Sequence, residues 1–241
     1  MTALAERFAL RLHKVSKAFG GVQALNQVDF EVRAGEVHCL AGENGCGKST
    51  LIKIVTGVHQ PESAELIELS GCAVNRINPV QARELGVSVI WQDLALFPHM
   101  TVAENIAFDD LVGLRPRSVK YRNMTNRSGE VLERLGVSMD LAAPLNDLPI
   151  AQRQVVAIAR ALMNDAKLIF MDEPTASLTQ TETDRLLDIV RKLSSDGVAI
   201  VFVSHRLAEV LDIAERVTVV RDGNLVGVYP TKGMTQARLG E

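Results

Sequence analysis

Residues 42–49 read Gly-Glu-Asn-Gly-Cys-Gly-Lys-Ser, the spacing G-x-x-x-x-G-K-S of a phosphate-binding (Walker A) loop. The glycines let successive backbone N–H groups turn inward around phosphate oxygens. A following helix adds the positive end of its dipole. Lys48 reaches the outer phosphates, and the Ser49 hydroxyl suits Mg²⁺. The candidate ligand set is Gly42, Glu43, Asn44, Gly45, Cys46, Gly47, Lys48, Ser49 and Thr50. The apolar run 37–41 precedes this loop and Leu51-Ile52-Lys53-Ile54-Val55 follows it, so the loop joins a buried strand to a helix start.

A second group stands far along the chain. Leu168-Ile169-Phe170-Met171 is an unbroken apolar run, as in a strand buried on both faces of a parallel sheet. Asp172 at its C-terminal end is placed to meet Mg²⁺, directly or through water. Glu173 follows, a carboxylate able to orient and deprotonate water. A GTPase would carry Asp-x-x-Gly here and Asn-Lys-x-Asp later. The chain has Asp172-Glu173-Pro174-Thr175 and lacks an Asn-Lys-x-Asp.

With both halves in view, the chain resembles the nucleotide-binding domain of ATP-binding cassette (ABC) transporters over nearly its whole length. Phe19 matches the aromatic that stacks on adenine in that family, and Gln92 matches the glutamine linking the Mg²⁺ site to the membrane partner. Leu148-Pro149-Ile150-Ala151-Gln152 occupies the place of the family signature Leu-Ser-Gly-Gly-Gln, with Pro149 for serine and Ala151 for glycine. Thr179 stands where the family's D-loop usually has aspartate, and His205 at the switch histidine. The six elements occur in the family's order. Within the family, residues 179–182, 204–210 and 217–223 are most similar to the first half of fused carbohydrate-importer ATPases of the ribose, galactose and arabinose type. The chain would then be one cassette from a split gene or a truncated product, and 234–241 reads as the start of a helix cut short.

The resemblance implies an α/β P-loop NTPase fold with a mostly parallel core sheet, an antiparallel β edge layer and an inserted α-helical subdomain. It implies one domain over 1–241, with a catalytic lobe from 1–93 and 166–241 and a helical signature subdomain from 94–165. ATP and Mg²⁺ are the expected cofactors, with Ser49, Gln92 and Asp172 around the metal and Glu173, His205, Lys48 and Gln92 in catalysis. Phe19, the phosphate loop and Leu148–Gln152 would contact nucleotide, the last from an opposing cassette. Implied partners are that second cassette, a membrane permease on the helical subdomain and Gln92 and, indirectly, a solute-binding protein. The implied location is the cytoplasmic face of the membrane. Two other classes stay open: a soluble ABC ATPase of translation, DNA repair or chromosomes, and a cassette of a non-sugar transporter. The first usually brings coiled coils, a zinc insertion or a basic linker, none of which is evident.

The elements that must position these residues follow from patterning. The 241 residues are 47% apolar, enough for one large core, and carry a net charge of −3. No basic stripe points to nucleic acid as a partner, and 4% aromatics give few stacking platforms. The three cysteines, Cys39, Cys46 and Cys72, lack metal-ligand spacing, and one lies inside the phosphate loop, which favours a reducing compartment. No apolar run approaches the roughly 18 residues of a membrane span, so a membrane role would come through a partner. Residues 7–33 alternate around Gly20-Gly21, as antiparallel strands do. The Walker A unit, 36–92, is expected to contain a strand near 64–69, a helix near 79–85 and a strand near 87–91. Helical spacing runs through Val102, Ile106 and Phe108 and through Val131, Leu132 and Leu135, while 113–128 reads as a polar, mobile connector. From 167 to 221 strands and helices alternate: a strand to Met171, helix 180–194, strand 198–203, helix 206–214, strand 216–221, then a hairpin at Asp222-Gly223.

Overall fold

The computed structural model describes residues 7–112, 121–204 and 206–235. Its centre is built from strands without polar faces. Strands β3 (Val37–Ala41) and β8 (Ala199–Val203) are buried at every position, and β7 (Leu168–Asp172) is buried up to Met171. Such strands need cover on both sides, which parallel sheets obtain from their crossover elements. They form the middle of a six-stranded sheet with β6 (Val87–Ile90), β9 (Arg216–Arg221) and β10 (Asn224–Pro230), ordered β10-β9-β3-β8-β7-β6. All pairs are parallel except β9–β10. That hairpin turns at Asp222-Gly223, whose φ values of 48° and 75° suit a tight two-residue turn.

Alternation along β7 assigns the two cores. Leu168 and Phe170 face one cluster with helix α1 (Lys48–Val55) and the second sheet. Ile169 and Met171 face another, with α6 (Ile150–Met163) and α7 (Gln180–Ser195). The second sheet is antiparallel, ordered β2-β1-β4-β5, from β1 (Phe8–Phe19), β2 (Val22–Arg33), β4 (Leu66–Leu69) and β5 (Cys72–Ala73). The expected strand near 64–69 therefore belongs to this layer, where Leu66–Leu69 pairs with β1, and not to the sheet of the phosphate loop. Strand β5 was not anticipated; its two residues are too few for a pattern.

Helices cover the remaining edges. Helix α2 (Pro79–Glu84) opens on an Asn78–Gln81 capping box and α3 (Val102–Ile106) on a Thr101–Glu104 box. The spacing Val102, Ile106, Phe108 divides at Ala107 between α3 and α4 (Phe108–Leu111). Residues 121–128 of the expected connector instead open helix α5 (Tyr121–Leu135); 113–120 lie outside the described residues. Met124, Ser128, Leu132 and Leu135 form its buried stripe, and Arg122, Asn123, Asn126 and Arg127 supply the polarity that resembles a loop. Helix α8 (Leu207–Ile213) follows β8. Among the described residues no helix is long and apolar enough to cross a membrane.

Candidate nucleotide-binding site

The phosphate loop begins where β3 ends. Gly47 is the N-cap of α1 at φ 110°, and a Cβ there would overlap the Ala24 carbonyl oxygen. A Cβ on Gly42, at φ 151°, would overlap the Val220 carbonyl oxygen and come within 2.6 Å of Cys46 Sγ. Both positions require glycine by packing as well as by backbone angle. The β9–β10 turn braces the loop from below: Gly223 N–H donates to Cys46 O at 3.0 Å, and Gly223 O accepts from Asn26 N–H at 2.8 Å. Lys48 Nζ donates to the carbonyls of Gly42 (2.7 Å) and Glu43 (2.8 Å) and lies 3.7 Å from Cys46 Sγ. Glu43 is exposed and Cys46 buried.

The opposite wall comes from the C-terminal ends of β6 and β7, which pair side by side as Ile90↔Met171. Gln92 follows β6, Asp172 ends β7, and Glu173 comes next. Together with Asn44, Gly45, Gly47, Lys48, Ser49 and Thr50 they enclose a 260 Å³ cavity at the carboxyl edge of the sheet, where open α/β sheets bind ligands. Burial raises the Asp172 pKa, the Glu173 charge raises it further, and Lys48 opposes both. Glu173 stands at φ 49° with its N–H donating to Val203 O at 2.9 Å. A non-glycine residue in this left-handed region is uncommon and persists where its surroundings fix it.

The other expected site residues lie elsewhere. Phe19, 43% exposed at the end of β1, does not line the cavity; Lys17 Nζ lies 5.2 Å from its ring centroid and His59 packs edge-on at 5.2 Å. None of Leu148–Gln152 lines it either. Pro149, Ala151 and Gln152 face a separate 440 Å³ cavity against α7. Pro149 is the N-cap of α6 and offers no side-chain cap. Thr179 N-caps α7 in a capping box with Glu182. His205 lies outside the described residues.

Polar residues with no role evident from the sequence hold these segments. Arg153 donates from its side chain to Leu148 O (2.8 Å) and Asn146 O (2.9 Å). The buried Thr175 hydroxyl donates to Glu209 at 2.5 Å, and Glu209 pairs with Arg206 at 3.0 Å. Arg206 in turn donates to Ala176 O at 3.3 Å, so the loops after β7 and β8 share one anchor. The i,i+3 spacing of Arg206 and Glu209 was the one local signal; the link to Thr175 spans 34 residues.

A glycine-built phosphate loop facing two strand-end carboxylates on a mostly parallel sheet defines a P-loop nucleotide-binding cassette. Residues 25–176 match the family model described as ABC transporter. The chain belongs to the ABC transporter family. It is 45% identical over 231 residues to the ribose import ATP-binding protein RbsA 2 of Streptomyces avermitilis, covering 94% of this chain and 45% of that protein. The chain thus spans about half the length of the curated relatives it matches. The crystal structure of the ADP conformation of MJ1267, an ATP-binding cassette of an ABC transporter, superposes with TM-score 0.84 at 26% identity, covering 92% of this chain and 91% of that one. The dimeric structure of MJ0796, a bacterial ABC transporter cassette, matches with TM-score 0.79 at 25% identity, covering 93% and 100%.

Proposed function

We propose that this chain is the ATP-binding and ATP-hydrolysing cassette that powers import of a sugar or related small polar solute. The observation that carries this reading is the convergence of Lys48, Ser49, Gln92, Asp172 and Glu173 on one cavity beneath a glycine-framed loop. The import names of the relatives support the sugar. Loop N–H groups from Asn44 to Thr50 hold the phosphates, and Lys48 exchanges the Gly42 and Glu43 carbonyls for phosphate oxygens. Phe19 stacks on the base. Ser49, Gln92 and Asp172 offer hydroxyl, amide and carboxylate oxygens, the donor set a hard divalent cation prefers, and the raised Asp172 pKa marks a carboxylate that such a charge would settle. When bound, Mg²⁺ neutralises charge on the outer phosphates. Glu173 takes a proton from the attacking water, and Lys48 and His205 stabilise charge on the transferring phosphoryl group.

The reading extends to partners. A second cassette, fused or separate, covers the nucleotide with its own signature while Leu148–Gln152 of this chain covers the other. Residues 94–165 form the helical subdomain that docks, with Gln92, on a permease at the cytoplasmic face of the membrane; a solute-binding protein acts through that permease. The test is Glu173→Gln. The amide keeps the shape and loses the basic oxygen, so ATP binding is expected within about twofold of the unsubstituted chain while turnover falls by about a hundredfold or more. Unchanged turnover by this variant, measured where two cassettes pair, removes Glu173 as the base.

A further inference from the structure

The turn after Gln92 is strained. Leu94 and Ala95 stand at φ 60° and 46°, two successive L-residues in the left-handed region. Such a pair persists only where its neighbours over-determine it. Three contacts hold it. Leu94 is buried in the core, and its N–H donates to Trp91 O at 2.9 Å. Ala95 N–H donates to Asp93 O at 2.8 Å. The third comes from far along the chain: Arg160 Nη1, on α6, donates to Ala95 O at 3.0 Å.

Arg160 is itself held on two more sides. Its guanidinium lies 5.0 Å from the centroid of the Phe108 ring, and Nη2 lies 3.9 Å from Asp109 Oδ1. Asp109 is fixed by Asn164 at 2.7 Å and by Arg83 of α2 at 3.4 Å. Arg83, Asp109, Arg160 and Asn164 line a 270 Å³ cavity whose wall includes Trp91, Leu94 and Ala95. The other end of the same short turn is Gln92, in the cavity with Lys48, Asp172 and Glu173.

We infer that Arg160 is a positioning residue: it clamps the turn after Gln92 in its strained form and thereby sets where the Gln92 amide stands in the nucleotide cavity. Without the clamp, Leu94 and Ala95 relax toward negative φ and Gln92 moves with them. The significance of Gln92 rests on the proposed function; the clamp itself does not.

Amide hydrogen exchange on the nucleotide-free chain tests the clamp. Arg160→Met keeps the aliphatic stem and removes the donors, so exchange across 92–97 is expected to rise about tenfold while β7 stays unchanged. Adding Ala95→Gly is expected to bring exchange back toward the unsubstituted rate, because glycine accepts a left-handed φ without the Cβ penalty. Arg160→Lys, whose single ammonium serves Ala95 O or Asp109 but not both, is expected to fall between and carries the test should the methionine variant not fold. Exchange across 92–97 within about twofold of the unsubstituted chain in the Arg160 variants, or no recovery with glycine at 95, overturns the clamp. Mg·ATP added to the same samples is expected to bind with affinity within about threefold in every variant but to protect 92–97 less in Arg160→Met. Failure of ATP to bind the unsubstituted chain overturns the proposed function instead, and the nucleotide-free comparison still decides the clamp.

Discussion

Lys48 carries the positive charge of the phosphate loop. Its ammonium rests on two loop carbonyls at 2.7 and 2.8 Å, contacts it exchanges for phosphate oxygens without leaving the loop. Lys48→Ala removes the cation that the loop sets against the outer phosphates. Charge-assisted hydrogen bonds contribute about 1.5–3 kcal/mol each, so fluorescent ATP analogues are expected to bind at least about tenfold more weakly. Binding at unsubstituted strength counts against the phosphate-loop reading. Cys46 is 4% exposed beneath the loop, with a Cβ on Gly42 excluded beside its sulfur, whereas Cys72 lies on the exposed strand β5. Maleimide labelling followed by peptide mass spectrometry is expected to modify Cys72 first. Cys46 should react slowly, and more slowly still with ATP, since the adduct would stand where phosphate must sit. Equal Cys46 rates with and without ATP overturn this.

At the scale of elements, one buried charge network joins β3, β9 and β2 at the end of β3 away from the phosphate loop. Glu36, 3% exposed, accepts from Arg216 at 2.6 and 2.8 Å and from Arg33 N–H at 2.8 Å, and contacts His38 Nδ1 at 3.0 Å. The fully buried His38 meets the Thr218 hydroxyl at 2.7 Å. Burial alone would raise the Glu36 pKa; the hydrogen bonds from His38, Arg216 and Arg33 outweigh it and lower it from 4.5 to about 2. A carboxylate depressed in the folded state adds stability that is full above its unfolded pKa and is lost as pH falls toward the folded one. The contribution, about 3 kcal/mol, should fade between about pH 4.5 and pH 2. Glu36→Gln is expected to cost about 3 kcal/mol at pH 7, leaving Arg216 facing a neutral amide, and to flatten that part of the acid profile in urea melts. An unchanged acid limb sinks the assignment. The same scale shows what patterning reaches. Strands β7 and β8 were legible because burial on both faces leaves an unbroken apolar run, β3 because His38 alone interrupts one, and the hairpin at Asp222-Gly223 because its residues tolerate positive φ. The common cavity of Lys48, Ser49, Gln92, Asp172 and Glu173 was legible because Gln92, Asp172 and Glu173 sit at or just past strand ends and Lys48 and Ser49 start the helix that the glycine loop joins to β3. The first half of helix α5, 121–128, was missed because its buried stripe is narrow there and includes Ser128, and the strain at Leu94-Ala95 because its restraint, Arg160, lies 65 residues away. Contacts of that range leave no local period to read.

At the scale of the whole molecule, what matters is that the two halves of the proposed composite site do not meet within one chain. Pro149, Ala151 and Gln152 face a cavity on α7, apart from the phosphate loop, as they must if the segment serves an opposing cassette. The two halves also differ in quality. The loop side keeps Lys48, Ser49, Gln92, Asp172 and Glu173 together in one cavity. On the signature side, Pro149 caps α6 without a side-chain hydrogen bond, where a serine hydroxyl would face the opposing γ-phosphate. Proline offers neither that hydroxyl nor an N–H, and the Ala151 methyl stands where a glycine would let backbone approach the nucleotide. Helix α6 is otherwise intact through Met163, with Arg153 holding the Leu148 and Asn146 carbonyls. A defect in the proposed signature would therefore be one of chemistry at the helix start and not of folding. A homodimer would pair two such signatures and turn over slowly; a partner cassette with a complete signature would let the loop side of this chain work. Pro149→Ser with Ala151→Gly restores the hydroxyl and the close approach. A gained cap contributes about 1 kcal/mol to the helix, and a gained transition-state hydrogen bond to phosphate about 1.5–3 kcal/mol. ATPase activity per chain is thus expected to rise by about tenfold or more at concentrations where dimers form, with little change at high dilution. Sedimentation in the presence of ATP reports the dimer fraction independently of turnover. If the double variant dimerises as well as the unsubstituted chain and stays equally slow, the signature is not what limits the pair.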